Sequence, residues 1–461
     1  MPRSLLAPFT TALLALALAQ PVTAAPDGVQ ERTLKNGLRV IVKEDHRAPT
    51  VAHMVWYKVG SVDEVDGTSG VAHALEHMMF KGTPKVGPGE FNRRVAAAGG
   101  RDNAFTSRDY TAYFQQIPAA KLPEMMGLEA DRMRHLNLDA KEFAKEIQVV
   151  MEERRLRTED QPAGTLYEQL NAVAWQAHPY RRPVIGWMDD LKNMTVRDLR
   201  DWYDRWYVPN NATLVVVGDV KAAEVFKQAE ATYGKLAGRA LPPRKPQEEP
   251  RQIGQRRLTV KVPADLPTVT LAWPAPTIRS VDADNADSYA LDMLAAVLDG
   301  HDAARLPTRL VKERRIAVSV DVGNDNTARG PGQFLITASP APGHSVAELE
   351  TALREEITRI AKDGVDEAEL RRARAQMIAA QVYKRDSMFG QAMELGQWAV
   401  LGYPNDASER FVDALRKVTP ADVQRVAARY FGDDTLTVAV LDPQPLPAEP
   451  KKRANIAVPH H

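Results

Sequence analysis

Two histidines four positions apart constrain this chain more than any other feature. The stretch Gly70–Thr83 reads GVAHALEHMMFKGT. Val71, Ala72, Ala74, Leu75, Met78, Met79 and Phe80 place apolar side chains around His73, Glu76 and His77. Thr68-Ser69-Gly70 precede them and Gly82-Thr83-Pro84 come after, so the stretch predicts a buried helix between breakers. Residues four apart on a helix lie one turn above each other and point the same way. Glu76 falls nearly on that face, within an arc of about 100°. Two neutral imidazoles so placed can hold one Zn²⁺, and a carboxylate beside them can take a proton from water. The competing reading is a pair of core histidines on an amphipathic helix, and the glutamates further along the chain weigh against it.

The chain has no cysteine, so it has neither disulfides nor thiolate ligands. Any metal must be held by histidine and carboxylate. A third protein ligand is then most naturally a glutamate. Helix periodicity over 140–158 includes EIQVVMEERRLR, with Glu146, Glu152 and Glu153. Glu146 and Glu153 are two turns apart and share a face, whereas Glu152 points about 100° away from Glu153. A solvated charged face explains the same glutamates, and the residues alone leave that alternative open.

Lys and Arg number 60 and Asp and Glu number 60. This balance gives no reason to expect a nucleic-acid partner. Arg3, the apolar run Leu5–Ala19 and Val22-Thr23-Ala24 predict a signal peptide over 1–24 and a periplasmic mature chain. The run is too short to span a bilayer and no later one is longer, so no membrane anchor is expected.

The remaining chain alternates strand and helix patterns, an α+β composition. Glu31–Leu34 and Leu38–Lys43 flank Asn36-Gly37, which predicts a hairpin with a type I′ turn. Thr50–Val59 reads as a strand, with His53 as a packed core residue. Asp102–Phe114 also has strand composition. GRALPPRKPQEEPRQIGQ predicts an interdomain linker over 238–255. It separates a domain at 28–237 from one at 256–443, and the tail 444–461 is expected to be disordered. The second half echoes the first. Thr195-Val196-Arg197-Asp198 leads to a helix and TLVVVGD, and Thr419-Pro420-Ala421-Asp422 leads to a helix and TLTVAVLD. The helix at 287–298 stands where the first half has its histidines, but it carries no H-x-x-E-H.

GVAHALEHMMFKGT, GGRDNAFTSRDYTAYF and EIQVVMEERR together resemble the pitrilysin/insulysin family of zinc metallopeptidases, the inverzincins. The length resembles the short branch that includes mitochondrial processing peptidase subunits. The resemblance implies two homologous domains, each a mainly antiparallel sheet with packed helices, forming one half-shell of a chamber. It implies His73, His77 and Glu153 as ligands of one Zn²⁺ per chain, and Glu76 as general base. Glu146 matches the acidic residue kept two turns before the third ligand, which would orient a ligand. Asn103, Ala104 and Phe105, with Thr106, resemble the edge strand that pairs with an extended peptide.

One departure bears on assembly. Active members carry an Arg and a Tyr seven residues apart in the opposite half-shell. Here the matching stretch is Leu310–Val318, with Val311 and Val318 at those positions. Arg309, Arg314 or Arg315 could substitute only with a register shift. The implied function is a zinc metalloendopeptidase subunit acting on unfolded peptides. Its implied partner is a family member that carries the Arg/Tyr pair. Two rival readings are a non-catalytic assembly or binding subunit of the same fold and a structural zinc module.

Overall fold

The computed structural model describes residues 28–279 and 285–446. The expected signal peptide and nearly all of the expected tail lie outside these residues. Eleven strands form two sheets among the described residues. The first contains β1 (Val29–Thr33), β2 (Arg39–Glu44), β3 (Thr50–Tyr57), β4 (Arg101–Thr106), β5 (Thr111–Pro118) and β6 (Ala212–Gly218). Its order is β1-β2-β6-β3-β5-β4. The second contains β7 (Arg256–Pro263), β8 (Thr268–Ala275), β9 (Ala317–Asn324), β10 (Gly332–Pro340) and β11 (Thr437–Gln444), in the order β7-β11-β8-β10-β9. Each sheet is antiparallel apart from one parallel pair, β2 with β6 and β7 with β11. Apart from β1 the two orders match strand for strand, which agrees with the echo in the sequence.

Two expected details change. The turn between β1 and β2 is not type I′, because that turn needs positive φ at both central residues. Only Gly37 has it, at +88°, while Asn36 does not. The Asn36 side chain instead donates to the carbonyls of Tyr233 and Leu236, at 2.8 and 2.9 Å, and stitches the turn to the helix layer. The stretch 102–114 is two strands and not one. Ser107–Tyr110 reverses the chain, with the Ser107 N–H donating to the Tyr110 carbonyl at 2.8 Å. As a result β4 stands at the sheet edge.

His53 is a core residue, as expected. Its ring pairs with Gln115 at 2.5 Å and Tyr233 at 3.1 Å, and Gln115 donates to Glu129. Arg132 completes this buried network through its own bonds to Glu129, at 2.6 and 2.9 Å.

The halves exchange helices. Helix Pro162–Ala174 belongs to the first half by sequence, but its Leu166 and Leu170 pack on Val260, Ala272, Ala439 and Leu441 of the second sheet. Helix Met388–Leu401 returns the arrangement. Its Ala392, Leu395, Ala399 and Val400 cover Ile41, Met54, Trp56 and Val215 of the first sheet. Burying each such Leu or Val contributes about 1.5–3 kcal/mol, so each half is stabilised by the other.

Gly396 is where the second of these helices comes closest to the sheet, since a Cβ there would fall on the Trp56 indole. Trp56 is fully buried and cannot swing away. Gly396→Ala should therefore destabilise the protein by about 1–3 kcal/mol despite its better helix propensity. Chemical denaturation checks this, and an unchanged or raised midpoint would show that the helix can shift outward.

Candidate metal centre

The histidine helix spans Val71–Met78, and all eight of its residues are buried. Its start is seated by close backbone approach. Gly70 has φ +86°, and a Cβ there would meet the Ile185 carbonyl oxygen and Gly186 Cα. Gly186 faces it with the same φ, so the two glycines let separate segments touch. Glu64 caps the helix, accepting from the N–H groups of Gly70 and Ala72 at 2.9 and 3.0 Å. That satisfies two of the orphan donors of a buried helix start.

The glutamates come from helix Ala140–Arg154, whose Asp139 cap accepts from the Lys141 and Glu142 N–H groups. Glu146 and Glu153 both face the histidines. Oε2 of Glu153 lies 3.2 Å from Nε2 of His77, and Oε1 lies 3.8 Å from Nε2 of His73. Glu152 points elsewhere and pairs with Arg155 at 2.8 Å. The charged-face reading fails for Glu146 and Glu153, which are 4 % and 3 % exposed. Buried Arg154 binds Glu168 through both terminal nitrogens, at 2.7 and 2.9 Å, and donates to the Gly186 carbonyl at 2.9 Å. These bonds lock the end of the ligand helix against the loop that seats the histidine helix.

The donor set fits zinc. Donor atoms of His73, His77 and Glu153 all lie within 4.8 Å of one another. Ligands of a tetrahedral zinc at about 2.0–2.2 Å stand roughly 3.3–3.6 Å apart, close to the spacing seen. His77 Nδ1 is 3.0 Å from Glu146 Oε1. An ionised carboxylate only accepts, so Nδ1 carries a proton, and it is Nε2 that would give up its own proton and offer a lone pair to the metal. Lys81 Nζ, 2.5 Å from the other oxygen of Glu146, keeps that carboxylate charged. Among the described residues no fourth histidine or carboxylate joins the group. A closed structural zinc site would have one, whereas three protein ligands leave a position open.

The electrostatics arise from burial and pairing in the metal-free protein. Burial pushes the Glu76 carboxyl up to about 7, against the Thr106 hydroxyl and His77. Burial opposes a charged His77, but Glu146 and Glu153 outweigh it and lift the imidazole to about 9. Burial also opposes ionisation of Glu153, yet His77, His73 and Arg157 bring it to about 2. Thr106, on edge strand β4, donates its hydroxyl to Glu76 Oε2. The sequence did not single out Thr106 in this role, and a Thr on an edge strand carries no local signal of a partner thirty residues earlier.

His73, Glu76, His77 and Glu153 line a cavity of about 400 Å³. Ala104, Phe105 and Thr106 of β4 line it too, but Asn103 does not. Arg108, Tyr167, Asn171 and Tyr180 form another wall, also unforeseen. The second half keeps a trace of the arrangement. Ala290-Leu291-Asp292 repeats Ala74-Leu75-Glu76, and Asp292 accepts from the Asn324 and Asn326 amides at 2.8 and 2.5 Å. Tyr289 and Met293 stand where the imidazoles would be.

This geometry, three metal donors on two helices beside a further carboxyl in one cavity, is that of a metallopeptidase of the H-x-x-E-H class. Residues 39–187 match the model of Insulinase (Peptidase family M16), and residues 193–377 match that of the Peptidase M16 inactive domain. The zinc protease PqqE of Helicobacter pylori is 33 % identical over 419 residues, covering 89 % of this chain and 92 % of that protein. A crystal structure of a protease from Helicobacter pylori superposes with TM-score 0.84 at 32 % identity, covering 90 % of this chain and 99 % of the other. The periplasmic protease PqqL from Escherichia coli shares the fold at TM-score 0.78 and 18 % identity, with 92 % of this chain covering 48 % of that one. The chain belongs to peptidase family M16, in its short two-domain branch, and its cofactor is one zinc ion.

Glu153→Gln should lower zinc content sharply, and Glu152→Gln should leave it at about one per chain. Elemental analysis of the purified variants decides it. The reverse pattern would assign the third ligand to Glu152.

Proposed function

We propose that this chain is a zinc-dependent metalloendopeptidase subunit that hydrolyses peptide bonds in unfolded peptides. The supporting observation is that the metal donors, Glu76 and the rim of edge strand β4 share one cavity. An extended peptide added to β4 by main-chain hydrogen bonds would run past Glu76. We assign Ala104 and Phe105, with neighbouring Asn103, to this pairing.

His73, His77 and Glu153 would hold the metal, and Glu146 would orient His77. When bound, zinc supplies a Lewis acid that polarises the scissile carbonyl and acidifies water. Glu76 takes the proton from the attacking water and delivers it to the leaving amine. Thr106 holds Oε2, so Oε1 is the atom that exchanges the proton.

The same reading puts the mature chain in the periplasm as one half of an enclosed chamber. Val311 packs against the second core and Val318 is 48 % exposed on β9, and neither offers a polar group. Arg309 is held by Glu356 at 2.7 Å and Arg314 lies 3.9 Å from Glu355. Arg315 sits in the left-handed region at φ +55°. An oxyanion-stabilising Arg and Tyr must then come from a partner chain of the family. The non-catalytic reading draws on the match of residues 193–377 to an inactive domain, but the metal donors lie outside that segment.

Glu76→Gln should keep its zinc and lose about 10²–10⁴ in kcat. Near-normal turnover by the zinc-loaded variant would remove Glu76 from the mechanism. Adding a family chain with an Arg and a Tyr seven apart should raise wild-type turnover about 10²–10³-fold, the worth of one such donor. Full activity from the isolated chain would refute the partner.

A further inference from the structure

Arg108 stands apart from the other arginines of the cavity. Arg157 is tied to Glu153 at 2.7 Å, and Arg181 and Arg182 are tied to Asp66 at 2.5 and 3.1 Å. Arg108 is held mainly by neutral groups. Its Nη2 donates to the Tyr167 hydroxyl at 2.8 Å and to the Asn171 side-chain oxygen at 3.1 Å. The guanidinium lies over the Tyr180 ring at 5.1 Å and the Tyr167 ring at 5.7 Å. Its nearest carboxylate, Asp325, is 3.6 Å from Nη1, beyond hydrogen-bond reach, and is itself 45 % exposed. Among the described residues, Nε and Nη1 have no hydrogen-bond acceptor.

Neutral acceptors and ring faces fix the fork in place without cancelling its charge. The side chain is only 17 % exposed, so water screens that charge incompletely. The result is a rigid guanidinium, partly desolvated, with open donors in the wall of a cavity that also holds the reacting groups. That arrangement suits a carboxylate, which accepts a charge-assisted bond from an open N–H of an arginine.

We propose that Arg108 is a specificity-determining residue that receives an acidic side chain of the peptide close to the bond to be cleaved. The inference rests on the peptidase reading above and adds to it the substrate class, peptides with Asp or Glu near the scissile bond. Tyr167 and Tyr180 act as positioning residues, because they set the plane of the fork.

Peptide binding to the zinc-loaded Glu76→Gln protein tests this without turnover. The probes are short labelled peptides with a single Glu moved through each position, each paired with its Gln counterpart, read by fluorescence anisotropy. At one or two adjacent positions the Glu peptide should bind about tenfold tighter than its partner, as a charge-assisted contact provides. Arg108→Gln added to that protein should bring the ratio close to one, and Arg108→Lys should keep part of it. A general loss of structure would weaken both peptides together and leave the ratio in place. Equal affinity at every position, or a ratio that survives Arg108→Gln, overturns the proposal and leaves the peptidase reading intact. Failure of every peptide to bind would remove both.

Discussion

Three buried carboxylates and two buried imidazoles cluster between two helices, and the rest of the structure accommodates them. Glu76, Glu146 and Glu153 are 5 %, 4 % and 3 % exposed. An isolated carboxylate in such a place costs several kcal/mol, and pairing alone makes it tolerable. Glu146 is paired on both oxygens, by His77 and Lys81. Glu153 faces both histidines and Arg157. Glu76 is the exception, since its Oε2 takes one neutral hydrogen bond from Thr106 and its proton affinity rises instead. Stable pairing at one site and a labile proton at its neighbour arise from the same burial. Holding the set in register explains why Glu64 caps one helix, why Arg154 braces the other, and why two glycines meet at the helix start.

Much of this was legible in the sequence because it is local. The four-residue spacing of His73 and His77 and the seven-residue spacing of Glu146 and Glu153 are helix periods, and a period is read from one segment alone. The absence of cysteine pointed to a glutamate as third ligand, and choosing Glu153 over Glu152 needed the resemblance to a known family. Whether the glutamates faced solvent could not be read, since the surface they pack on is some seventy residues away. Asn36-Gly37 marked a turn correctly, but the turn type depended on Asn36 bonding to Tyr233 and Leu236, about two hundred residues later. The cavity wall was invisible for the same reason. Arg108 acquires its setting from Tyr167, Tyr180 and Asp325, on three separate segments.

Among the described residues the second half has no metal site of its own, and the exchange of helices gives it a structural part instead. It covers the first sheet, and it also braces the rim of the cavity. Arg329, on the loop between β9 and β10, binds Asp63 at 2.8 and 2.9 Å and donates through its backbone N–H to Asp109 at 3.1 Å. Asp109 comes directly after Arg108 and also receives the Tyr180 hydroxyl at 2.6 Å. In the second half Tyr289 and Met293 stand at the positions of the imidazoles, while Asp292 is clamped by two amides. Asp292 is there a buried, hydrogen-bonded core group.

The histidine helix and the ligand helix bring together three side chains that would hold one zinc ion and leave a coordination position open. Anomalous scattering at the zinc edge, from crystals of the zinc-loaded protein, tests this most directly. One peak per chain is expected, about 2.0–2.2 Å from Nε2 of His73, Nε2 of His77 and the Glu153 carboxylate, with water or an added ligand in the remaining position. A peak elsewhere in the chain, or a fourth protein side chain closing the site, would contradict it.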